Sequence, residues 1–244
     1  MSHALILGGT SGLGLKIAWE SHSRGITPMI AGRSVLDKEV AASLPPDTVP
    51  IWNDLAGHHG GAMIHPIRLE GCDYFFWVAG IFSRKPFSKT YDNEIGQMMD
   101  VHLNAPMRII ADLHREHLKN KNKKPYHLVV VASTSSWRLR ENETLYCALK
   151  AAKAAFARNF SVEMARDLSG SKVTLVNPGG MKNPNFWKES GQNIDAFMDP
   201  KEVAKIIWDE VLNQTETFKE LQIMRNSDGT PKLEYGPRMP EIPK

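Results

Sequence analysis

Cysteine is nearly absent from this chain, with only Cys72 and Cys147 in 244 residues. Two thiols cannot staple a disulfide-dependent scaffold, and such sparse use suits a reducing compartment. No apolar run is long enough to cross a bilayer. The first apolar stretch begins almost at Met1, so a secretory or transit peptide is not expected. An excess of one charge is missing as well, since 30 Lys and Arg face 27 Asp and Glu for a net charge of +3. That balance argues against nucleic acid as a partner, and the basic run at 119–124 reads as a solvated loop. His58 and His59 are adjacent, diverge on a helix, and have no Cys or acid at ligand spacing, so no metal site is expected. His114 and His117 read as surface residues. What remains is a soluble, cytoplasmic α/β domain spanning 1–244, with neither a repeat nor a linker.

Apolar runs followed by glycine or hydroxyl turns recur along the chain. His3 to Leu7 is the first, reading as a strand buried on both faces. It runs into Gly8-Gly9-Thr10-Ser11-Gly12-Leu13-Gly14 and then a helical pattern from Leu15 to Trp19. Strand, glycine turn and helix is the context a dinucleotide-binding turn requires. Glycines let the backbone approach a pyrophosphate, and the helix start offers free N–H groups and a positive dipole end. A second strand, Ile26 to Ala31, ends in Gly32-Arg33-Ser34. An acid at that corner would bond a ribose 2′-hydroxyl, whereas an arginine accommodates a 2′-phosphate. Arg33 therefore points to NADP(H) over NAD(H), the alternative being an exposed arginine after a turn. Thr48 to Trp52 is a third strand, with Asp54 beyond it where an adenine-edge contact is plausible, and 56–68 holds at most a short, irregular helix.

Asp73 to Ile81 is an aromatic-rich strand ending in Ala79-Gly80, where glycine suits a backbone passing close to a ligand. An apolar stripe at helical spacing follows from Ile95 to Leu113. His102 lies on it, and both a core histidine and a site role are open. His127 to Ala132 leads to the hydroxyl cluster Ser133-Thr134-Ser135-Ser136, at the strand end where open α/β sheets bind ligands. Thr144 is the expected N-cap of an alanine-rich helix carrying Tyr146 and Lys150. Their i, i+4 spacing puts both on one face, where an ammonium lowers a phenol pKa and creates a general acid/base. Val173 to Val176 ends in Asn177-Pro178-Gly179-Gly180. The stretch 181–198, with Phe186, Trp187 and Phe197, reads as a lid. A helix from Pro200 to Leu212 and a strand from Leu221 to Met224 complete the pattern. The tail from Asn226 is expected to be disordered or docked on a partner.

Together these motifs resemble the short-chain dehydrogenase/reductase family, of the type with one Rossmann domain, from Leu5 to about Met224. The glycine turn matches Leu7 to Gly14, the paired Tyr and Lys match Tyr146 and Lys150, and Pro-Gly matches Pro178-Gly179. The resemblance implies a doubly wound parallel sheet of about seven strands with helices on both faces. It implies hydride transfer between a nicotinamide and a carbonyl or alcohol, with Ser133 (or Ser135) bonding the substrate oxygen. Tyr146 would move the proton, and Lys150 would tune it and bind the nicotinamide ribose. Cofactor contacts would come from Gly8, Thr10, Ser11, Gly12, Leu13, Gly14, Arg33, Ser34, Asp54, Ala79, Gly80, Tyr146, Lys150, Pro178 and Gly179. A homodimer or homotetramer packed through 91–118 and 144–168 is also implied. The chain departs from the family at Leu7, Val78 and His102, the last standing in place of a catalytic Asn that holds a relay water. A non-catalytic NADP(H) sensor or scaffold is the competing function. An isomerase or dehydratase fits the glycine turn less well.

Overall fold

The structure, a computed structural model, describes residues 2–56, 71–119, 124–188 and 190–239. Residues 57–68 of the expected irregular segment, the His58–His59 pair and most of the basic run at 119–124 lie outside them. Among the described residues, one sheet of eight strands organises the fold, in the order β3-β2-β1-β4-β5-β6-β7-β8. The strands are β1 (His3–Leu7), β2 (Thr27–Gly32), β3 (Val49–Trp52), β4 (Cys72–Trp77), β5 (His127–Val131), β6 (Lys172–Pro178), β7 (Phe218–Arg225) and β8 (Pro231–Tyr235). The first seven pair in parallel, and β8 runs antiparallel to β7.

Strand periodicity explains the two-sided core. Leu5 and Leu7 of β1, with Phe75 and Trp77 of β4, face one helical layer. Ala4, Ile6 and Phe76, offset by one residue, face the other. The first layer holds α3 (Asp92–Met99), α4 (Ala105–Lys119) and α5 (Thr144–Asp167), whose Ile109, Ile110, Leu113, Ala154 and Ala157 pack on the sheet. The second holds α1 (Gly12–Ser23) and α7 (Pro200–Asn213), where Trp208 is fully buried and its Nε1 donates to Ile17 O at 3.0 Å. The short helices α2 (Lys38–Ser43) and α6 (Pro184–Trp187) lie in connections. No described helix is long and apolar enough to cross a membrane.

Four expectations need correction. The tail from Asn226 forms a strand, β8, because the Asp228-Gly229 turn closes a hairpin on β7. There Asn226 N–H donates to Thr230 O at 2.9 Å and Gly229 adopts φ +87°. Backbone pairing at a sheet edge does not need an apolar strand. The helix carrying Tyr146 begins at Thr144 itself, with Glu143 in the capping position and no side-chain cap bond. The mid-chain stripe is not one regular helix, because a π-helical turn, Asp100–Asn104, is inserted between α3 and α4. His114 and His117 are buried, since the inner stripe of α4 continues through 110, 113, 114 and 117. His117 lies 4.6 Å from the Tyr126 ring, and His114 Nε2 is 3.3 Å from Asp167 Oδ2.

Strand order reverses between β1 and β4, which opens a crevice beyond the carboxyl ends of the strands. Backbone bonds brace that edge where the family's Thr and Asn are replaced by Leu7 and Val78. The amides of Val78 and Ala79 donate to Leu7 O at 3.1 and 2.8 Å, and Gly8 N–H donates to Ala31 O at 2.9 Å.

Candidate active site

A cleft of about 940 Å³ opens at this reversal, lined by the ends of β1, β2, β4, β5 and β6, the face of α5, and 179–197. The residues singled out in the sequence converge on it. Gly8, Thr10, Ser11, Leu13, Gly14, Arg33, Ser34, Asp54, Ala79, Gly80, Ser133, Tyr146, Lys150, Pro178 and Gly179 all line its wall. Gly12 and His102 do not. A Cβ on Gly12 would lie 2.2 Å from Asn183 Nδ2, so a side chain from the 181–198 stretch covers that glycine. His102 is fully buried behind the wall.

The turn after β1 is shaped by missing side chains. A Cβ on Gly14 would lie 2.1 Å from Gly8 O, so the first turn of α1 packs directly against the loop backbone. Ser11 precedes α1 in extended conformation, and its hydroxyl makes no cap bond. The first N–H groups of α1 therefore have no side-chain cap.

The hydroxyl cluster is held by a polar network across β6 and β7. Arg158 Nε and Nη2 grip the Glu220 carboxylate at 3.0 and 2.8 Å, and Asn177 Nδ2 donates to it at 3.0 Å. Ser136 Oγ donates to Asn177 Oδ1 at 3.0 Å, and Trp137 Nε1 donates to Gln222 Oε1 at 3.0 Å. This anchors the turn Thr134–Ser136 from below. Ser133 Oγ accepts from Ser135 N–H at 3.1 Å, and its hydroxyl acts on the Tyr146 phenol in the direction that favours the phenolate. Ser135 instead reaches the Cys147 thiol. Of the two candidate serines, Ser133 is the one that acts on Tyr146.

Tyr146 and Lys150 sit on the expected face of α5, but their electrostatics differ from expectation. Burial pushes the Tyr146 phenol well above the ordinary tyrosine value, with Ser133 only partly offsetting it and Glu143 and Cys147 adding to it. Lys150 is not among the groups that act on it. Its Nζ lies 5.5 Å from the Tyr146 ring centroid and reaches toward Val131 O at 3.4 Å. Desolvation thus outweighs the cation, and Tyr146 is a protonated phenol at neutral pH.

Burial pushes Lys150 down to about 7. Such a group binds fewer protons in the folded chain than in the unfolded one between about 7 and the ordinary lysine value of about 10.4. Stability therefore rises with pH across that window. Lys150 alone is expected to add about 1 kcal/mol between roughly pH 7 and 8, where unfolded thiols are still mostly protonated. Urea unfolding at a series of pH values checks this, and an unfolding free energy that stays flat or falls overturns it.

His102 belongs to the π-helical turn, a rare insertion that often marks functional positions. Its Nε2 lies 2.8 Å from Ile81 O and 3.0 Å from Ile81 N, while its Nδ1 is buried without a partner. Burial, and then Lys150 and Lys153, hold it well below the ordinary histidine value, so it is neutral. Gly80, expected to make room for a ligand, also makes room for this ring, because a Cβ there would lie 2.8 Å from His102 Cε1. Asn104 pairs with Asp100 Oδ1 at 2.8 Å on the exposed side.

Phe82 and Asn183 in the wall, and Lys153 behind it, escaped the sequence reading. Phe82 lies 4.9 Å from Tyr146 and 4.8 Å from Trp187, and Trp187 lies 5.2 Å from Phe197. Lys153 was legible in principle, since 146, 150 and 153 fall at i, i+4 and i+7 on one helix face. Asn183 and Phe82 carried no local signal. Among the described residues, no three His, Cys, Asp or Glu are placed to hold a metal ion.

Comparison with known proteins decides the family. A sequence profile described as short chain dehydrogenase matches residues 2–194. The chain belongs to the short-chain dehydrogenase family. It is an NAD(P)-dependent oxidoreductase of that family, with a single Rossmann-type fold. An uncharacterised oxidoreductase of Staphylococcus aureus (strain MW2) is 24% identical over 209 residues, covering 84% of this chain and 88% of the relative. A 3-ketoacyl-(acyl-carrier-protein) reductase from Brucella melitensis, solved with NADH, superposes with a TM-score of 0.74. It has 17% identity over 93% of this chain and 98% of that one. A short-chain dehydrogenase from Sphingobium yanoikuyae, solved with NADPH, also gives a TM-score of 0.74, at 16% identity over 90% and 87%. At such identities the two structures speak for the fold alone. A dehydrogenase of this family uses NAD(P)(H), and the cleft fits a dinucleotide. The glycine turn leaves a cradle that a Cβ would fill, and the uncapped start of α1 suits a pyrophosphate.

Proposed function

We propose that this short-chain dehydrogenase is an NADP(H)-dependent reductase of carbonyl compounds, with Tyr146 as the proton donor. The observation that carries the reading is that Ser133, Tyr146 and Lys150 line the same cleft as the glycine turn. The cofactor, when bound, supplies the hydride. The chain's own groups orient the substrate and manage the proton. Ser133 bonds the substrate oxygen as negative charge develops on it. Tyr146 then passes its phenolic proton to that oxygen, a step that favours a phenol kept protonated by burial. This protonation state supports reduction as the working direction. Lys150 would hold the nicotinamide ribose, and Ala79, Gly80, Pro178 and Gly179, in the same wall, would contact the nicotinamide end.

Arg33 and Ser34, in the wall beyond β2, supply the preference for NADP(H). Arg33 is exposed, free to meet a 2′-phosphate as a charged donor. Arg33→Ala is expected to weaken NADPH binding by about 10- to 100-fold, the worth of a hydrogen bond to a charged group, and to leave NADH binding unchanged. Calorimetric titration with each nucleotide tests this, and equal affinities in wild type overturn it.

The aromatic wall of Phe82, Phe186, Trp187 and Phe197 supports a carbonyl borne on an apolar or ring-containing body. NADPH consumption across ketones, aldehydes and quinones is the direct test. Turnover of none of them, with tight NADPH binding, would favour the sensor reading. A homodimer or homotetramer is part of the same proposal. Val162 on α5 and Met107 on α4, apolar side chains 72% and 40% exposed, support it.

A further inference from the structure

Lys153 has no part in the reading above, yet it is one of the largest fully buried side chains of the protein. It lies one turn beyond Lys150 on the same face of α5. Its Nζ donates to Ala79 O at 2.9 Å and to Val131 O at 3.3 Å, and lies 4.7 Å from the centre of the Trp77 ring. Lys150 Nζ lies 3.4 Å from that same Val131 O. Two amines thus converge on one carbonyl, at the point where β4 and β5 end beneath the cleft.

The groups around them supply no balancing charge. From α5 comes the Tyr146 phenol, from the π-helical turn the neutral His102 ring, from β4 the Trp77 face, and from β4 and β5 only main-chain carbonyls. Among the described residues, no carboxylate acts on either lysine. Two like charges close together in a dry site cannot both persist cheaply, just as two carboxylates in one site share a single proton.

We propose that Lys153 is a positioning residue that forms a one-proton dyad with Lys150, so that the two buried amines hold a single charge beneath Tyr146. The inference rests on the reading of Lys150 as the amine that would hold the nicotinamide ribose beside Tyr146. Burial presses both amines toward the neutral form, and Lys153 is pressed further by the charge on Lys150. Lys153 keeps its place in either state, because even an uncharged amine donates to Ala79 O and Val131 O. A methionine or leucine there would fill the space but leave Lys150 as the only cation.

The test needs neither substrate nor cofactor. The full chain, labelled with 13C in its lysines, is titrated while the Cε and Hε signals are followed by NMR. Exposed lysines titrate together near the ordinary value of about 10.4. The expected wild-type result is two inner lysines that share the same two titration steps, as coupled groups do, with one step at or below neutrality. Lys153→Met is expected to leave one inner lysine with a single step, displaced upward by about one pH unit or more from the lower wild-type step. Lys150→Met is expected to move the remaining Lys153 step upward likewise, which keeps the test open if one variant fails to fold. A folded Lys153→Met protein whose remaining inner lysine titrates at the lower wild-type step overturns the dyad. So does a wild type in which both lysines stay protonated to about pH 9. Failure of wild type to bind NADPH would instead remove the functional reading and leave the dyad standing, so the two failures are distinguishable.

Discussion

Replacing Tyr146 with phenylalanine is expected to lower NADPH-dependent carbonyl reduction by about 10²–10⁴-fold, the usual cost of removing a positioned proton donor. NADPH affinity should change little, and the fold should hold. The ring does the packing, standing edge-on to Phe82 at 4.9 Å and to His102 at 5.8 Å, and phenylalanine keeps that ring. Removing the hydroxyl also removes a phenol that burial disfavours as an anion, so no buried charge is stranded. The loss belongs in kcat, because the proton moves only as the substrate oxygen gains charge. Ser133→Ala should act in the same direction, through the same oxygen. Steady-state kinetics on any carbonyl that wild type turns over provides the measurement. A Tyr146→Phe protein that retains more than about a tenth of wild-type kcat would remove Tyr146 from the role.

Gly8→Ala is expected to cost the fold about 2–5 kcal/mol, for two separate reasons. Gly8 adopts φ +89°, a left-handed conformation that costs a residue with a Cβ roughly 1–2 kcal/mol. The added Cβ would also lie 2.7 Å from Ala79 Cα and 2.8 Å from Ala79 N, and such overpacking costs about 1–3 kcal/mol more. The atoms it meets are backbone, held to Leu7 O by the Ala79 amide, and cannot swing aside. A domain has only about 5–15 kcal/mol to lose, so a large drop in the urea midpoint should follow. Gly96→Ala is the matched control. It lies on the exposed side of α3 with nothing within 4 Å of the added Cβ, and helix propensity favours alanine there by about 1 kcal/mol. Equal midpoints for the two variants would mean that β1 and β4 are not wedged together at Gly8. Because the same contact shapes the wall of the cleft, surviving Gly8→Ala protein should also bind NADPH poorly.

Much of the site was legible because its groups are local in the chain. The glycine turn, Arg33, the Ser133 cluster and the Tyr146–Lys150 pair each sit at the end of an apolar run or on one helix face. Strand periodicity and helix spacing then suffice to place them together at one edge of a parallel sheet. The readings that failed turned on contacts between distant segments. His114 and His117 look polar, yet Tyr126 and Asp167 give them partners inside. The 226–239 tail looks too polar to order, yet β7 offers it a free edge, and the Asp228-Gly229 turn that signals such a hairpin was present in the sequence.

By itself, then, the amino-acid sequence determined the doubly wound α/β architecture, the glycine turn after the first strand and the face that carries Tyr146 and Lys150. Those features arise from patterns repeated within a few residues, and the chemistry of each is carried by residue type. Only the tertiary structure decided which serine acts on the phenol, how the π-helical turn brings His102 against Gly80, and that Lys153 reaches the same carbonyl as Lys150. It also decided the charge on these groups. Desolvation depends on every segment packed around an atom, so a buried phenol stays protonated and a buried lysine approaches neutrality whatever the residues beside them in the chain.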